Sequence, residues 1–210
     1  MECLAAGRAI SLPSSNAGIA QLTSRAVGGY ARVRQQFKTS ISNFEGISSV
    51  LGQMAAKTFI VDSTRKLAAS AIDSGERPSV ISAIAKVHAT EKAREIVNSG
   101  MDIIGGKGIC QGPSNFLAEA HMQTPISITV EGANILTRSL IIFGQGAIRC
   151  HPYVLKELEA AQNPNDEEAI EKFDAAVKGH LLMVFRNFQR TLLSGITGAR
   201  FLKTNPKINK

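Results

Sequence analysis

Residues 46–75 read GISSVLGQMAAKTFIVDSTRKLAASAIDSG. Ile47, Val50, Leu51, Met54 and Ala55 recur at the three-and-four spacing that puts apolar side chains on one helical face, and Ile60, Val61 and Leu67 continue it. The run predicts one long helix that stops near Ser74-Gly75, where glycine accepts the left-handed conformation of a C-terminal cap. Working outward, Pro78 suits the first turn of a following helix. That helix is expected to carry Val80, Ile81, Ile84, Val87 and Ala93 inward and Lys86, Glu91, Lys92, Arg94 and Glu95 mostly outward, and to end near Asn98-Ser99 or Gly100. Upstream, Ile19 to about Gln35 reads as a helix of small residues (Ala20, Ala26, Ala31) suited to close packing, entered through Pro13-Ser14-Ser15-Asn16. Downstream, a helix is expected over Asn134–Ala147, with Ile135, Leu136, Leu140, Ile141 and Phe143 as its apolar residues. After a loop at Pro164-Asn165, another runs from about Asp166 to Leu193, with Leu181, Phe185, Phe188 and Leu192 on one face. Residues 126–130, ISITV, alternate as a short strand would, but nothing nearby offers a partner strand. Long helices joined by short turns predict an all-α, antiparallel (up-and-down) bundle.

Composition narrows the class. A chain of 210 residues with 44% hydrophobic and 20% charged side chains is neither disordered nor low-complexity. The net charge of +7 suits a polyanion or a ligand carrying several phosphates. From Arg186 to Lys210 there are six Lys or Arg and no acid, which reads as a solvated or partner-facing tail rather than a nucleic-acid arm. Cys3, Cys110 and Cys150 are too few and too far apart for a disulfide framework or zinc site, and His88, His121, His151 and His180 lack metal-ligand spacing. No metal site is expected, and the cysteine usage fits a reducing, cytoplasmic compartment.

Three strings carry chemistry: Arg34-Gln35-Gln36-Phe37, Ile104-Gly105-Gly106-Lys107-Gly108-Ile109, and Thr129-Val130-Glu131-Gly132-Ala133-Asn134-Ile135. In this order and at these separations they resemble the C-terminal helical domain of the flavin-dependent acyl-CoA dehydrogenases, where the corresponding strings read approximately RxxFG, GGxGF and YEGT. The resemblance covers residues 1–148 as one helical bundle. Residues 149–210 resemble the start of the extra C-terminal region in the long bacterial enzymes of fatty-acid β-oxidation.

The resemblance implies FAD as cofactor, a fatty acyl-CoA as substrate and oxidation to the trans-2-enoyl-CoA, with an acceptor like electron-transfer flavoprotein. Glu131 is implied as the base that removes the α-proton. A C–H beside a thioester is a weak acid, so it needs a well-placed carboxylate in a dry pocket. Arg34, Gln36 and Phe37 are implied to contact the flavin dinucleotide of a neighbouring subunit, with guanidinium suiting pyrophosphate. Gly105 and Gly106 are implied to approach the same dinucleotide, and Arg8 and Gly132 to lie beside the acyl-CoA. Glu131 is therefore expected in a crevice bordered by the arginine and glycine strings. Three positions depart from the family pattern: Ala5 replaces an acid, Asp102 a Gln, and Ala133 a Thr.

Family members also have an N-terminal helical domain and a middle β domain, which this sequence lacks. The expectation is a homo-oligomer, or a chain that needs an N-terminal half, with weak flavin binding and poor turnover alone. A competing reading is a non-catalytic helical interaction module. Its basic C-terminal helix (Arg186, Arg190, Arg200, Lys203) would then face a partner or, peripherally, the inner membrane.

Overall fold

The computed structural model describes residues 2–76, 79–162 and 166–200. Pro78, the Pro164-Asn165 loop and Lys203 lie outside the described residues. The chain divides into two compact units, one ending at Gln145 and one starting at Gly146.

The first unit is built on three long helices: α1 (Glu2–Val33), α2 (Glu45–Asp73) and α3 (Ser79–Ile104). Their core clusters give the direction of each. Ala9 meets Ala68 and Ala85, Ala17 meets Val61 and Ala89, and Ala20, Val27 and Ala31 meet Met54, Ile96, Ile103 and Ile104. Numbers rise along α1 and α3 while they fall along α2, so α2 is antiparallel to both. The first two clusters are almost all alanine, which lets the helix axes approach toward the ~8 Å lower limit of helix packing. Between α1 and α2 a hairpin pairs β1 (Gln35–Gln36) with β2 (Thr39–Ser40). A short helix α4 (Gly106–Ile109), α5 (Ala118–Thr129), α6 (Asn134–Leu136) and a π-helical turn over Thr137–Gln145 complete the unit.

The all-α bundle expected from the spacing is the observed fold. The α2 stop falls where glycine predicts it: Gly75 has φ +80° and Glu76 N donates to the Ala71 carbonyl at 3.0 Å. Other expectations are corrected. Pro13 does not delay α1, which runs through it from Glu2. The proline is buried, and Asn16 Nδ2 donates to the Leu12 carbonyl at 2.9 Å beside it. Residues 126–129 are helical, not extended, and the alternation is reversed, with Ser127 buried and Ile126 exposed. The α3 helix continues past Gly100, because this glycine serves packing. A Cβ there would lie 3.0 Å from Leu117 and Thr23 and 3.1 Å from Val27. Ile60, Leu67, Ile81 and Ile84 point outward, while small residues and Lys86 occupy the inner face of α3.

The second unit contains α7 (Gly146–Cys150), α8 (Val154–Ala161) and α9 (Asp166–Thr197), which runs four residues past the expected end. His151 Nδ1 accepts from the Tyr153 and Val154 amides at 3.2 Å and so caps α8. His180 Nδ1 lies 2.7 Å from Glu157 Oε1 and ties α9 to α8. Tyr153 lines two grooves, of about 590 and 360 Å³. Leu181, Phe185, Phe188 and Leu192 are exposed.

Candidate active site

Glu131 sits on a turn between α5 and α6. The Val130 amide closes α5 on the Ile126 carbonyl at 2.9 Å. Glu131 then adopts φ +54° and Gly132 φ +92°. A non-glycine residue in the left-handed region costs of order 1–3 kcal/mol and persists only where its surroundings hold it. Gly132 has no room for a side chain: a Cβ would lie 2.9 Å from Thr137 Oγ1 and 3.7 Å from Arg8 Nη1. The half-buried Glu131 carboxylate accepts from Ser11 Oγ on α1, at 3.1 Å to Oε1 and 3.4 Å to Oε2.

Charged groups gather behind this turn. Arg8 and Lys86 are both buried, the latter completely. Lys86 Nζ donates to the Ile128 carbonyl at 3.0 Å, the Gly132 carbonyl at 2.7 Å and Asn134 Oδ1 at 2.6 Å. Asn134 Nδ2 in turn donates to Thr90 Oγ1 and Glu91 Oε1, each at 2.9 Å. Burial pushes the Lys86 ammonium below its usual value and the Arg8 charge adds to this, while Glu131 and Glu91 pull it back. Burial also lowers Arg8 against the pull of Glu131, though a guanidinium keeps its proton regardless. Burial works to raise the Glu91 carboxyl, but hydrogen bonds from Asn134 and Arg94, with the charges of Arg94 and Lys86, outweigh it and hold it low.

The other predicted residues gather at the far end of α1. The Arg34 amide donates to the Tyr30 carbonyl at 2.8 Å, and the hairpin follows, with Phe37 at φ +52° and Lys38 at φ +64° in its two-residue turn. Glycine and asparagine usually fill such a turn. Gln36 is exposed, and Phe37 is 90% exposed with its ring edge-on to Phe44. Lys107 Nζ lies 5.8 Å from the Tyr30 ring centre, so the glycine turn borders the end of α1 that leads into the hairpin. Gly105 has φ +66°, and a Cβ on either Gly105 or Gly106 would meet open space.

The predicted residues thus form two groups, not one. The stretch of α1 from Ser11 to Val33 spans about 33 Å at 1.5 Å per residue. Among the described residues no single crevice is bordered by Glu131 and by the arginine and glycine strings, which corrects the expected arrangement. Arg8 and Gly132 do join Glu131. Arg34, Gln36, Phe37, Gly105 and Gly106 make the second group. Its donors fit a dinucleotide: the Arg34 guanidinium has no hydrogen-bond or ion-pair partner among the described residues, and Gly106 has no packing partner to explain it. Lys86, Ser11, Asn134 and Glu91 were missed as site residues. The available signal was a lysine in a run of small residues, with Ser82, Ala89, Thr90 and Ala93 on its face.

Two family models match the chain: the acyl-CoA dehydrogenase C-terminal domain over residues 1–143, and the bacterial-type acyl-CoA dehydrogenase C-terminal region over residues 148–209. The chain belongs to the acyl-CoA dehydrogenase family. This is a family of FAD-dependent oxidoreductases. Among acyl-CoA dehydrogenase relatives, a 3-(aryl)acrylate reductase of Clostridium sporogenes is 34% identical over 108 residues, covering 51% of this chain and 28% of that protein. A probable acyl-CoA dehydrogenase of Mycobacterium tuberculosis is 33% identical over 126 residues, covering 58% and 31%. The crystal structure of acyl-CoA dehydrogenase from Geobacillus kaustophilus superposes with a TM-score of 0.65 at 21% identity, covering 69% of this chain and 37% of that one, and so shares the fold. The chain spans less than a third of the length of these two curated relatives.

Proposed function

We propose that this chain supplies the base-bearing helical domain of an FAD-dependent dehydrogenase that oxidises a fatty acyl-CoA to its trans-2-enoyl-CoA, with Glu131 as the base. The observation that carries this reading is the Glu131-Gly132 turn. It holds a carboxylate in a strained left-handed conformation, hydrogen-bonded by Ser11 and, among the described residues, with no ion-pair partner at contact distance.

Glu131 takes the proton from the carbon next to the thioester carbonyl as the Cα–Cβ double bond forms. A flavin held by Arg34, Gln36, Phe37, Gly105 and Gly106 would supply the acceptor for the hydride that leaves Cβ. Ser11 holds the carboxylate before substrate arrives, and the Arg8 cation offsets its charge from behind. Gly132 leaves the space that a Cβ would fill beside Arg8. At the far end of α1, Arg34, Gln36, Phe37, Gly105 and Gly106 hold the dinucleotide. The two groups lie about 33 Å apart along the helix, so one complete site draws its second group from another copy of the chain. A homo-oligomer, an acyl-CoA substrate and an acceptor like electron-transfer flavoprotein follow from this reading. Among the described residues no single helix is long and apolar enough to cross a membrane.

The test is deuterium uptake at Cα of butyryl-CoA by the flavin-loaded protein in heavy water. Glu131→Gln is expected to slow it at least ~1,000-fold, the upper part of the range for general-base removal, with CoA binding unchanged. Uptake at the parent rate would remove Glu131 from its role.

A further inference from the structure

We propose that Lys86 is a positioning residue that holds the strained Glu131 turn in its reactive conformation, an inference that rests on Glu131 being the base. An ammonium group has three N–H bonds to satisfy, and all three of Lys86 go to this one turn. Two go to the Ile128 and Gly132 carbonyls, which bracket Glu131 in sequence. The third goes to Asn134, which is itself fastened to Thr90 and Glu91 on α3, one turn beyond Lys86. Thr137 Oγ1 adds a second bond to the Gly132 carbonyl at 2.9 Å. Three residues on one face of a rigid helix thereby grip the turn on both sides of Glu131.

A completely buried lysine calls for an explanation. Moving an ammonium out of water costs several kcal/mol even after relaxation, and Arg8 nearby worsens it. A methionine would fill the same space without charge, but it would take a donor from each of three acceptors, of which the Gly132 carbonyl would keep its bond from Thr137. Those acceptors belong to a turn with two consecutive positive φ angles, which local propensity does not favour. Lys86 touches neither substrate nor flavin in this reading. Its effect passes through the backbone that aims the carboxylate.

The experiment compares Lys86→Met, Asn134→Ala and Glu131→Gln by residue-resolved hydrogen exchange on the full 210-residue chain. The reporters are the Val130 and Thr137 amides, bonded to the Ile126 and Ala133 carbonyls on either side of the turn. Lys86→Met is expected to speed both by about 30-fold while the Val27 and Met54 amides of the bundle core stay within about 3-fold, as local opening requires. Equal acceleration everywhere, or none at the turn, overturns the proposal. If Lys86→Met fails to fold, Asn134→Ala decides. It leaves the ammonium and two of its bonds, and about 5-fold faster exchange at the same two amides is expected, with no change overturning the clamp. In the flavin-loaded protein with butyryl-CoA, Lys86→Met should lower kcat about 100-fold with KM within about 3-fold, the signature of an interaction felt in the transition state. Glu131→Gln should leave both amides at the parent rate. Retained deuterium uptake in that variant defeats the base and leaves the clamp standing. Unchanged turn amides in Lys86→Met defeat the clamp and leave the base standing.

Discussion

Near Ser11, α1 borders a turn whose backbone carbonyls are held by a buried lysine and whose glycine has no space for a Cβ. Near Arg34 the same helix ends in an exposed hairpin, beside glycines whose missing Cβ atoms face open space. Both ends carry left-handed residues, Glu131-Gly132 at one and Phe37-Lys38 at the other. At the Glu131 end the strain is supported from inside the chain. At the hairpin the Gln35 and Gln36 ladder pairs supply the support, and beside it Gly105 is needed for its φ of +66° while Gly106 has no packing reason in this chain. On the proposed function, the difference separates a turn that aims a side chain from a surface that another molecule covers.

The same substitution at the two ends tests this contrast most sharply. Gly132→Ala forces a side chain into φ +92° and to 2.9 Å from Thr137 Oγ1. It should destabilise the chain by about 2–4 kcal/mol, combining left-handed strain with overpacking, as read by the shift in urea midpoint at constant slope. A loss under about 0.5 kcal/mol, the level of an ordinary surface change, would show that the turn yields and that its strain is not held from within. Gly106→Ala should leave the urea midpoint unchanged, because its Cβ meets nothing in this chain. It should instead weaken FAD at least ~10-fold, about 1.4 kcal/mol, in a flavin fluorescence titration. Undiminished FAD affinity would take the glycine turn out of the dinucleotide site.

The bundle was readable because helical spacing survives any tertiary context that keeps one face buried, and α2 shows it from Met54 and Val61 to the Gly75 stop. The inner face of α3 was not. Sequence reasoning put Ile81 and Ile84 inside by hydrophobicity, but the close approach of α1 selects Ser82, Ala83, Ala85 and Ala89 by size. Lys86 was assigned outward for the same reason: a cation marks a solvated face unless acceptors reach it, and its acceptors lie 42 to 48 positions downstream. The carboxylate, the arginines and the glycines enter as a set only through their resemblance to a known family, and the structure divides that set between two places. What the linear string does not show is their division between two ends of one helix, because a reading that enters α1 at Pro13 leaves out its first turns.

The smallest expected effect concerns how the lysine end responds to pH. Glu91 is held below the ordinary carboxylate value of 4.5. Near and below that value the unfolded chain binds the proton more tightly, so stability rises with pH there. The contribution is complete above 4.5 and is lost as pH falls through the lower folded value. Glu91→Gln keeps the Oε1 acceptor for Asn134 and removes the charge, so it should flatten this acid limb. The change at neutral pH should be under about 1 kcal/mol, because the carboxylate is 35% exposed and solvent screens it. Lys86 works on the opposite limb. Its folded value lies below 10.5, so the unfolded chain again holds the extra proton and stability climbs as pH rises through the folded value toward 10.5. Lys86→Met should remove that alkaline rise and leave the acid limb in place. Urea midpoints across both limbs read the two effects separately. An alkaline rise that persists in Lys86→Met would mean that the ammonium at this end is not the group being desolvated. A network that charges Lys86 and Glu91 together gains from its carboxylate everywhere above 4.5 and sheds the cost of its buried cation only as pH climbs toward 10.5.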